Sequence, residues 1–176
     1  MVEHLWAGWR SAYVQRADER GTDDDRPMVD IADGQTLFEA IEQSDLTEDQ
    51  TLIVWRGERV FAVLNRYPYT SGHVMVLPNR AVQQLTDLDD DEYAELWSGV
   101  RLATEAVQAA YRPHGINVGA NLGRGAGAGI PDHLHVHVVP RWDGDTNFMT
   151  AVAGVRVMPE TLGTTWERLR AVWPTS

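Results

Sequence analysis

The sequence contains neither cysteine nor lysine in its 176 residues. The lack of cysteine rules out disulfides and any thiolate zinc site. The lack of lysine leaves arginine as the only permanently basic side chain, a planar fork well matched to phosphate oxygens. Long apolar runs are also missing, since none approaches the roughly 20 residues that a bilayer-spanning helix needs. The opening Met1-Val2-Glu3-His4-Leu5 does not have the basic-then-apolar layout of a signal peptide. A cytoplasmic protein without a membrane partner is therefore expected. Positive charge is scarce as well: 15 arginines against 26 acidic residues give a formal net charge of −11. That balance argues against nucleic acid as a partner, because binding it requires a basic face to neutralise phosphates. A small phosphorylated ligand remains compatible, held locally by backbone N–H groups, an arginine or two and histidines.

The length suits one domain with a proper core. Residues 1–35 read as an N-terminal extension. Within it, Leu5, Trp6, Trp9, Tyr13 and Val14 form a roughly helical aromatic stripe, and Asp18 to Asp33 form an acidic, solvated loop. Residues 36–176 read as the single folded domain. A short amphipathic helix is expected from Thr36 to Gln43, with Leu37, Phe38 and Ile41 inward. Strands are expected at Thr51–Trp55 and Arg59–Asn65, joined by the tight turn Arg56-Gly57-Glu58. A third follows at His73–Leu77 and ends at Pro78.

The longest helix is expected over Asp89–Tyr111. Asp89, Asp90, Asp91 and Glu92 complement the dipole at its start, and Leu96, Val100, Ala103, Val107 and Ala110 make its apolar stripe. Ile116–Leu122 and His133–Val139 read as the fourth and fifth strands, with a glycine-rich loop, Gly123 to Gly129, between them. A last helix is expected near Pro159–Trp173, with proline in its first turn. Hairpin-connected strands with helices grouped before and after predict an α+β fold: a five-stranded antiparallel sheet, one long helix, and N- and C-terminal helical segments.

The chemistry concentrates in Asp132-His133-Leu134-His135-Val136-His137-Val138-Val139-Pro140. Strand alternation puts His133, His135 and His137 on one face, each about 6–7 Å from the next, with Leu134, Val136 and Val138 on the other. The loop before them carries Gly123, Gly125, Gly127 and Gly129, which lets backbone N–H groups approach an anion without side-chain interference. A neutral imidazole beside a phosphate cradle suits nucleophilic attack on phosphorus. The same spacing also suits a metal site of two or three imidazoles, or a polar strand with no chemical role. Spacing alone leaves all three open, and the glycines add weight to phosphate.

The run His133 to Val139 matches His-φ-His-φ-His-φ-φ, where φ is hydrophobic, and so resembles the histidine-triad family. Two upstream segments are similar to that family's nucleoside-binding hairpin and its fourth histidine: Phe61-Ala62-Val63-Leu64-Asn65 and Ser71-Gly72-His73-Val74-Met75-Val76-Leu77-Pro78. The stretch from Gly115 to Met149, with Asn121-Leu122-Gly123-Arg124 and Pro140-Arg141-Trp142, most resembles the actinobacterial diadenosine tetraphosphate phosphorylase branch. The opening Leu5-Trp6-Ala7-Gly8-Trp9-Arg10 resembles the same branch. The resemblance covers most of residues 51–150.

By that resemblance His135 attacks the α-phosphorus and forms a nucleotidyl-histidine, with a backbone carbonyl holding its other ring nitrogen. His137 contacts the phosphate near the departing group, while His73 and His133 orient the cluster. Asn121 and the backbone around Ala128 and Gly129 hold phosphate oxygens. Asn65 sits by the ribose, with apolar hairpin residues such as Leu64 around the base. The implied substrate is a nucleotide, either a dinucleoside polyphosphate or an AMP derivative. Water as acceptor gives AMP, and inorganic phosphate gives ADP. Phosphorolysis of diadenosine tetraphosphate to ADP and ATP is the leading expectation, by a homodimer with no tightly bound cofactor. Any divalent cation would accompany the substrate. The alternatives are hydrolysis of dinucleotides or phosphoramidates, a non-catalytic nucleotide sensor, and a metal-binding module.

The sequence also departs from the family. Gly129 stands where many relatives carry glutamine or serine. Thr36-Leu37-Phe38-Glu39 stands where some relatives carry a zinc-binding Cys-x-x-Cys pair, and Ala81 where a ligand histidine would be, so no metal is expected. His137 in place of glutamine points away from the hexose-1-phosphate uridylyltransferase branch. Arg124 and Arg141 are candidate phosphate contacts. Asp143-Gly144-Asp145 reads as a turn, His114 as a solvated turn residue, and Trp97 and Trp166 as core or interface. His4 has no evident partner, and Trp6 and Trp9 are expected to pack.

Overall fold

The computed structural model describes residues 29–145 and 160–174. The aromatic stripe at Leu5 to Val14, His4, most of the acidic stretch and Pro159 lie outside the described residues. Five strands form one antiparallel sheet in the order β1-β2-β3-β5-β4: β1 Ile53–Arg56, β2 Val60–Leu64, β3 Val74–Pro78, β4 Gly115–Ala120 and β5 Val136–Arg141. Helix α1 spans Leu37–Gln43, a one-turn α2 spans Glu48–Thr51, the long α3 spans Asp90–Tyr111 and α4 spans Leu162–Val172. The expected α+β architecture is present.

Helix α3 starts where its sequence says it should. The Asp89 carboxylate accepts the Glu92 N–H at 2.8 Å, and the Glu92 side chain returns to the Asp89 N–H at 3.0 Å, closing a capping box. Its apolar stripe is buried: Leu96, Ala103 and Val107 are fully covered and Val100 almost so. At the helix midpoint Gly99 rests on the sheet. A Cβ there would lie 3.0 Å from Val76 and 3.6 Å from Val60, so glycine allows this close approach. These contacts identify the α3 face of the sheet: Val60, Ala62 and Leu64 of β2, Val74 and Val76 of β3, and Val136 and Val138 of β5. Burying side chains of this size contributes about 1.5–3 kcal/mol each.

Most element boundaries shift by a residue or more from expectation, and four of the shifts have a clear physical cause. Thr51 ends α2 rather than opening β1, because its hydroxyl donates back to the Thr47 carbonyl and Leu52 takes a left-handed conformation at φ 65°. Strand β5 begins at Val136, not His133. The Leu134 N–H donates to the Val82 carbonyl at 2.6 Å, and the His133 carbonyl accepts the His135 ring, so neither group is available to the ladder. Strand β4 then ends at Ala120, opposite Val136, since no partner strand continues beyond that pair. Helix α4 starts at Leu162, with Thr161 as its N-cap accepting the Thr164 N–H.

Trp166 of α4 donates its indole N–H to the Ile53 carbonyl at 2.8 Å and packs on the core as expected. Trp97 is not in the core: it is 38 % exposed and lies edge-on to Tyr93. Among the described residues no helix is long and apolar enough to cross a membrane.

Candidate active site

The sheet face opposite α3 carries the histidines. His137 sits on β5 across from Met75, and His73 immediately precedes β3. His133 and His135 lie in the turn leading into β5, which corrects the expectation of three histidines in one extended ridge. His133 is completely buried and His135 nearly so. The rings nevertheless converge: centroids are 4.9 Å apart for His135 and His137, and 5.1 Å for His73 and His137. Phe38 of α1 closes the cluster from the side, 5.5 Å from the His133 ring and 5.4 Å from that of His135. Tyr69 lies against His73 at 4.7 Å and His137 at 6.0 Å.

The hydrogen bonds define the tautomers. A backbone carbonyl can only accept, so His135 Nδ1, 2.8 Å from the His133 oxygen, carries a proton. In the neutral ring the lone pair is then on Nε2. Burial holds His135 below the usual histidine pKa, with the bond to the His133 carbonyl pulling the other way, so the neutral ring is favoured. The same logic runs through the second pair. The Tyr69 N–H donates to His73 Nδ1 at 3.1 Å, so a neutral His73 carries its proton on Nε2. That Nε2–H donates to His137 Nδ1 at 2.9 Å, which leaves neutral His137 protonated on Nε2. The cluster thus presents a lone pair on His135 Nε2 beside an N–H donor on His137 Nε2.

The third relation is structural. His133 Nε2 donates to the Pro78 carbonyl at 2.8 Å, and Thr36 Oγ1 lies 2.8 Å from His133 Nδ1. Burial also lowers the His133 pKa, while the Pro78 carbonyl and the Glu39 carboxylate act to raise it. The Thr36 backbone and Ala81 both donate N–H groups to Glu39, whose pKa is held below the ordinary carboxylate value chiefly by the bond from Thr36. Among the described residues no group of three or more histidine, aspartate or glutamate side chains is arranged to hold a metal ion.

The other candidates separate clearly. Asn65 follows β2 on the histidine face, with its N–H on the His73 carbonyl and its side-chain oxygen accepting from Tyr67. Leu64 is buried on the α3 face of the sheet, so it cannot line a base beside the histidines; alternation gives that place on β2 to Val63. Asn121 lies one position past the Ala120–Val136 pair that ends the β4–β5 ladder, as His135 lies one position before it. Gly119 pairs with His137, and a Cβ added there would meet nothing within 4 Å, so space is open beside the cluster.

The glycine-rich loop folds back on itself. Ala128 is buried, and its N–H donates to the Gly123 carbonyl, so that amide is already used within the loop, while Gly129 is exposed. Arg124 is exposed in a short 3-10 turn, Arg124–Ala126. Arg141 is at the far end of β5, paired with Asp145 through two bonds of 2.5 and 2.8 Å and with Asn117 at 2.8 Å. Asp143-Gly144-Asp145 is a turn, and exposed His114 packs its ring nitrogen on Asp143 at 3.1 Å. Sequence reasoning did not bring Phe38, Tyr69, Thr36 and Glu39 to the histidines. Thr36-x-x-Glu39 carries a capping-box signal, which marks a helix start but not a contact with a residue 97 positions away.

The HIT-domain family model matches residues 47–144. An AP-4-A phosphorylase of Mycobacterium tuberculosis is 42 % identical over 172 residues, covering 98 % of this chain and 85 % of the relative. An asymmetrical bis(5'-nucleosyl)-tetraphosphatase of Schizosaccharomyces pombe is 34 % identical over 93 residues, covering 53 % of this chain and 50 % of that protein. A hypothetical histidine triad nucleotide-binding protein from Sulfolobus tokodaii superposes with a TM-score of 0.62 at 29 % identity, over 76 % of this chain and 89 % of that one. A zinc-bound histidine triad protein from Mycobacterium smegmatis does so with a TM-score of 0.62 at 27 % identity, over 77 % and 91 %.

Proposed function

Because the chain belongs to the HIT-domain family, we propose that it is a nucleotidyltransferase acting on diadenosine tetraphosphate through His135, with inorganic phosphate as acceptor. The observation that carries the reading is the bond from His135 Nδ1 to the His133 carbonyl, which places the lone pair of the neutral ring on Nε2. In the first step Nε2 attacks the α-phosphorus. The phosphorus–nitrogen bond forms as the bond to the bridging oxygen breaks, and ATP departs with the electron pair. His137 Nε2–H lies beside His135 and stabilises charge developing on that oxygen. In the second step an oxygen of inorganic phosphate attacks the nucleotidyl-histidine, the phosphorus–nitrogen bond breaks, ADP leaves and neutral His135 is restored.

Asn65 is assigned to the ribose, Val63 to the base side, and Asn121 with the exposed Gly129 end of the loop to phosphate oxygens. Any divalent cation travels with the polyphosphate. The outer edge of β4, where Val118 is 44 % exposed, supports a homodimer. The net charge of −11 favours a small substrate over nucleic acid, and a cytoplasmic location fits such a substrate. One relative named as a tetraphosphatase and another named as a triphosphatase favour hydrolysis as the second reading.

The test is product analysis on diadenosine tetraphosphate with and without inorganic phosphate. ADP plus ATP formed only with phosphate is expected. AMP plus ATP irrespective of phosphate would replace the phosphorylase with a hydrolase, and no product from the dinucleotide would overturn the substrate assignment.

A further inference from the structure

The capping box at the start of α1 makes more bonds than a helix end requires. Thr36 Oγ1 accepts the Glu39 N–H at 3.3 Å and Glu39 Oε2 accepts the Thr36 N–H at 2.9 Å, which completes the box. Two further bonds leave the helix. Glu39 Oε1 accepts the N–H of Ala81 at 3.0 Å, and Thr36 Oγ1 meets His133 Nδ1 at 2.8 Å. Ala81 lies three residues after Pro78, whose carbonyl takes the opposite nitrogen of the same His133 ring. The fully buried His133 ring is thus held at both nitrogens, by α1 on one side and the end of β3 on the other. The Leu134 N–H on the Val82 carbonyl, at 2.6 Å, fixes the next residue to the same segment.

Because Nε2 gives its proton to Pro78, Nδ1 of the neutral ring must accept, and the Thr36 hydroxyl donates to it. The hydroxyl oxygen also lies 2.9 Å from Glu39 Oε2, so its single proton is placed between two acceptors. What this clasp orients is the His133 carbonyl, the group that fixes the His135 tautomer.

We propose that Thr36 and Glu39 are positioning residues for the reaction: they clamp the His133 ring, and its carbonyl in turn aims His135 Nε2 at phosphorus. The inference rests on His135 being the nucleophile. The Thr36 hydroxyl supplies the bond, and Glu39 anchors Thr36 and the Ala81 segment so that both sides of the clamp move together. Phe38, between them in sequence, packs on both the His133 and His135 rings, so any shift of α1 is passed to both.

The experiment compares Thr36→Val, Thr36→Ser and Glu39→Gln with wild type and with His135→Asn, by steady-state kinetics and by 15N NMR of the imidazoles. Valine keeps the shape and removes the hydroxyl. It should lower kcat about ten-fold while the KM for the dinucleotide changes less than about two-fold, because orientation and not binding is lost. The His133 Nδ1 resonance should move toward the position of a nitrogen without a donor. Serine should restore both readouts. Glu39→Gln, which turns one acceptor into a donor, should reproduce the kcat loss and serves if the valine variant does not fold. A folded Thr36→Val with wild-type kcat, or an unmoved His133 resonance, overturns the proposal, as does failure of serine to rescue. Turnover by His135→Asn would instead overturn the assignment of the nucleophile, while the NMR readout would still report on the clamp.

Discussion

His73 Nε2 stands 2.9 Å from His137 Nδ1, and the backbone N–H of Tyr69, 3.1 Å from His73 Nδ1, decides which ring gives the proton. An amide cannot accept, so the direction of the whole chain is set by a main-chain group that no side-chain substitution alters. The result is a His137 ring whose donor is Nε2.

This relay makes His73→Phe an informative variant. Phenylalanine retains a ring against Tyr69 at a position only 1 % exposed, but it removes the donor to His137. The His137 tautomer is then no longer fixed. We expect kcat to fall roughly ten- to hundred-fold with a smaller change in KM, since the bond matters most as charge develops on the departing oxygen. Steady-state kinetics check this, and an unchanged kcat would show that the relay has no bearing on turnover.

His135→Asn should abolish turnover and spare nucleotide binding. Wild-type enzyme mixed with dinucleotide and quenched in base should carry a nucleotidyl adduct on His135, read by mass spectrometry, and the variant should carry none. Calorimetry should find the ligand still bound by the variant, because the hairpin and loop contacts are untouched. An adduct on any other residue would move the nucleophile.

Where the sequence was legible, local rules and tertiary contacts agreed. The Asp89–Glu92 box and the stripe from Leu96 to Val107 specify α3 from within one segment, and the structure keeps both. The histidines were legible as a group because their spacing is distinctive. The shape they take was not. Alternation assumed a strand from His133, but the Leu134 amide is drawn to Val82, about fifty positions back in the chain, and this bends the run into a turn. Leu64 failed for a related reason: apolar character does not say which face a residue takes, and register against Val74 does. Thr36 carries a cap signal that explains its helix without hinting at His133. Tyr69 acts through its backbone, so its residue type could not have announced it.

Acidity should affect stability and activity in the same direction. Burial places the His133 and His135 pKa values below the unfolded value of about 6.5. The unfolded chain therefore binds more protons than the folded one as pH falls through that region, so the stability these rings contribute is complete above about pH 6.5 and is lost on acidification toward their folded pKa values. The acid limb of kcat/KM, which reports the free enzyme, should likewise lie below pH 6.5. Urea midpoints and initial rates from pH 5 to 8 measure the two together. An acid limb centred above 6.5 would contradict a buried neutral nucleophile.

Gly72→Ala should damage both fold and site, for reasons that can be separated. Gly72 has φ +82°, which costs a non-glycine residue about 1 kcal/mol or more. An added Cβ would also lie 2.7 and 2.9 Å from ring carbons of Tyr111. That ring has little freedom to retreat. Its hydroxyl bonds to Glu160, the Arg168 guanidinium lies 5.2 Å over its face, and Trp142 meets it edge-on at 6.3 Å. The strain must therefore pass to the segment that carries His73, one residue on. Overpacking adds about 1–3 kcal/mol, and the sum should lower Tm by roughly 5–15 °C. Gly34→Ala is the matched control: φ is +79°, but nothing lies within 4 Å of the added carbon, so only the backbone cost applies. If the two variants melt at the same temperature, contact with Tyr111 does not hold the turn. If Gly72→Ala melts lower and also loses turnover, the turn both shapes the fold and aims His73 at His137.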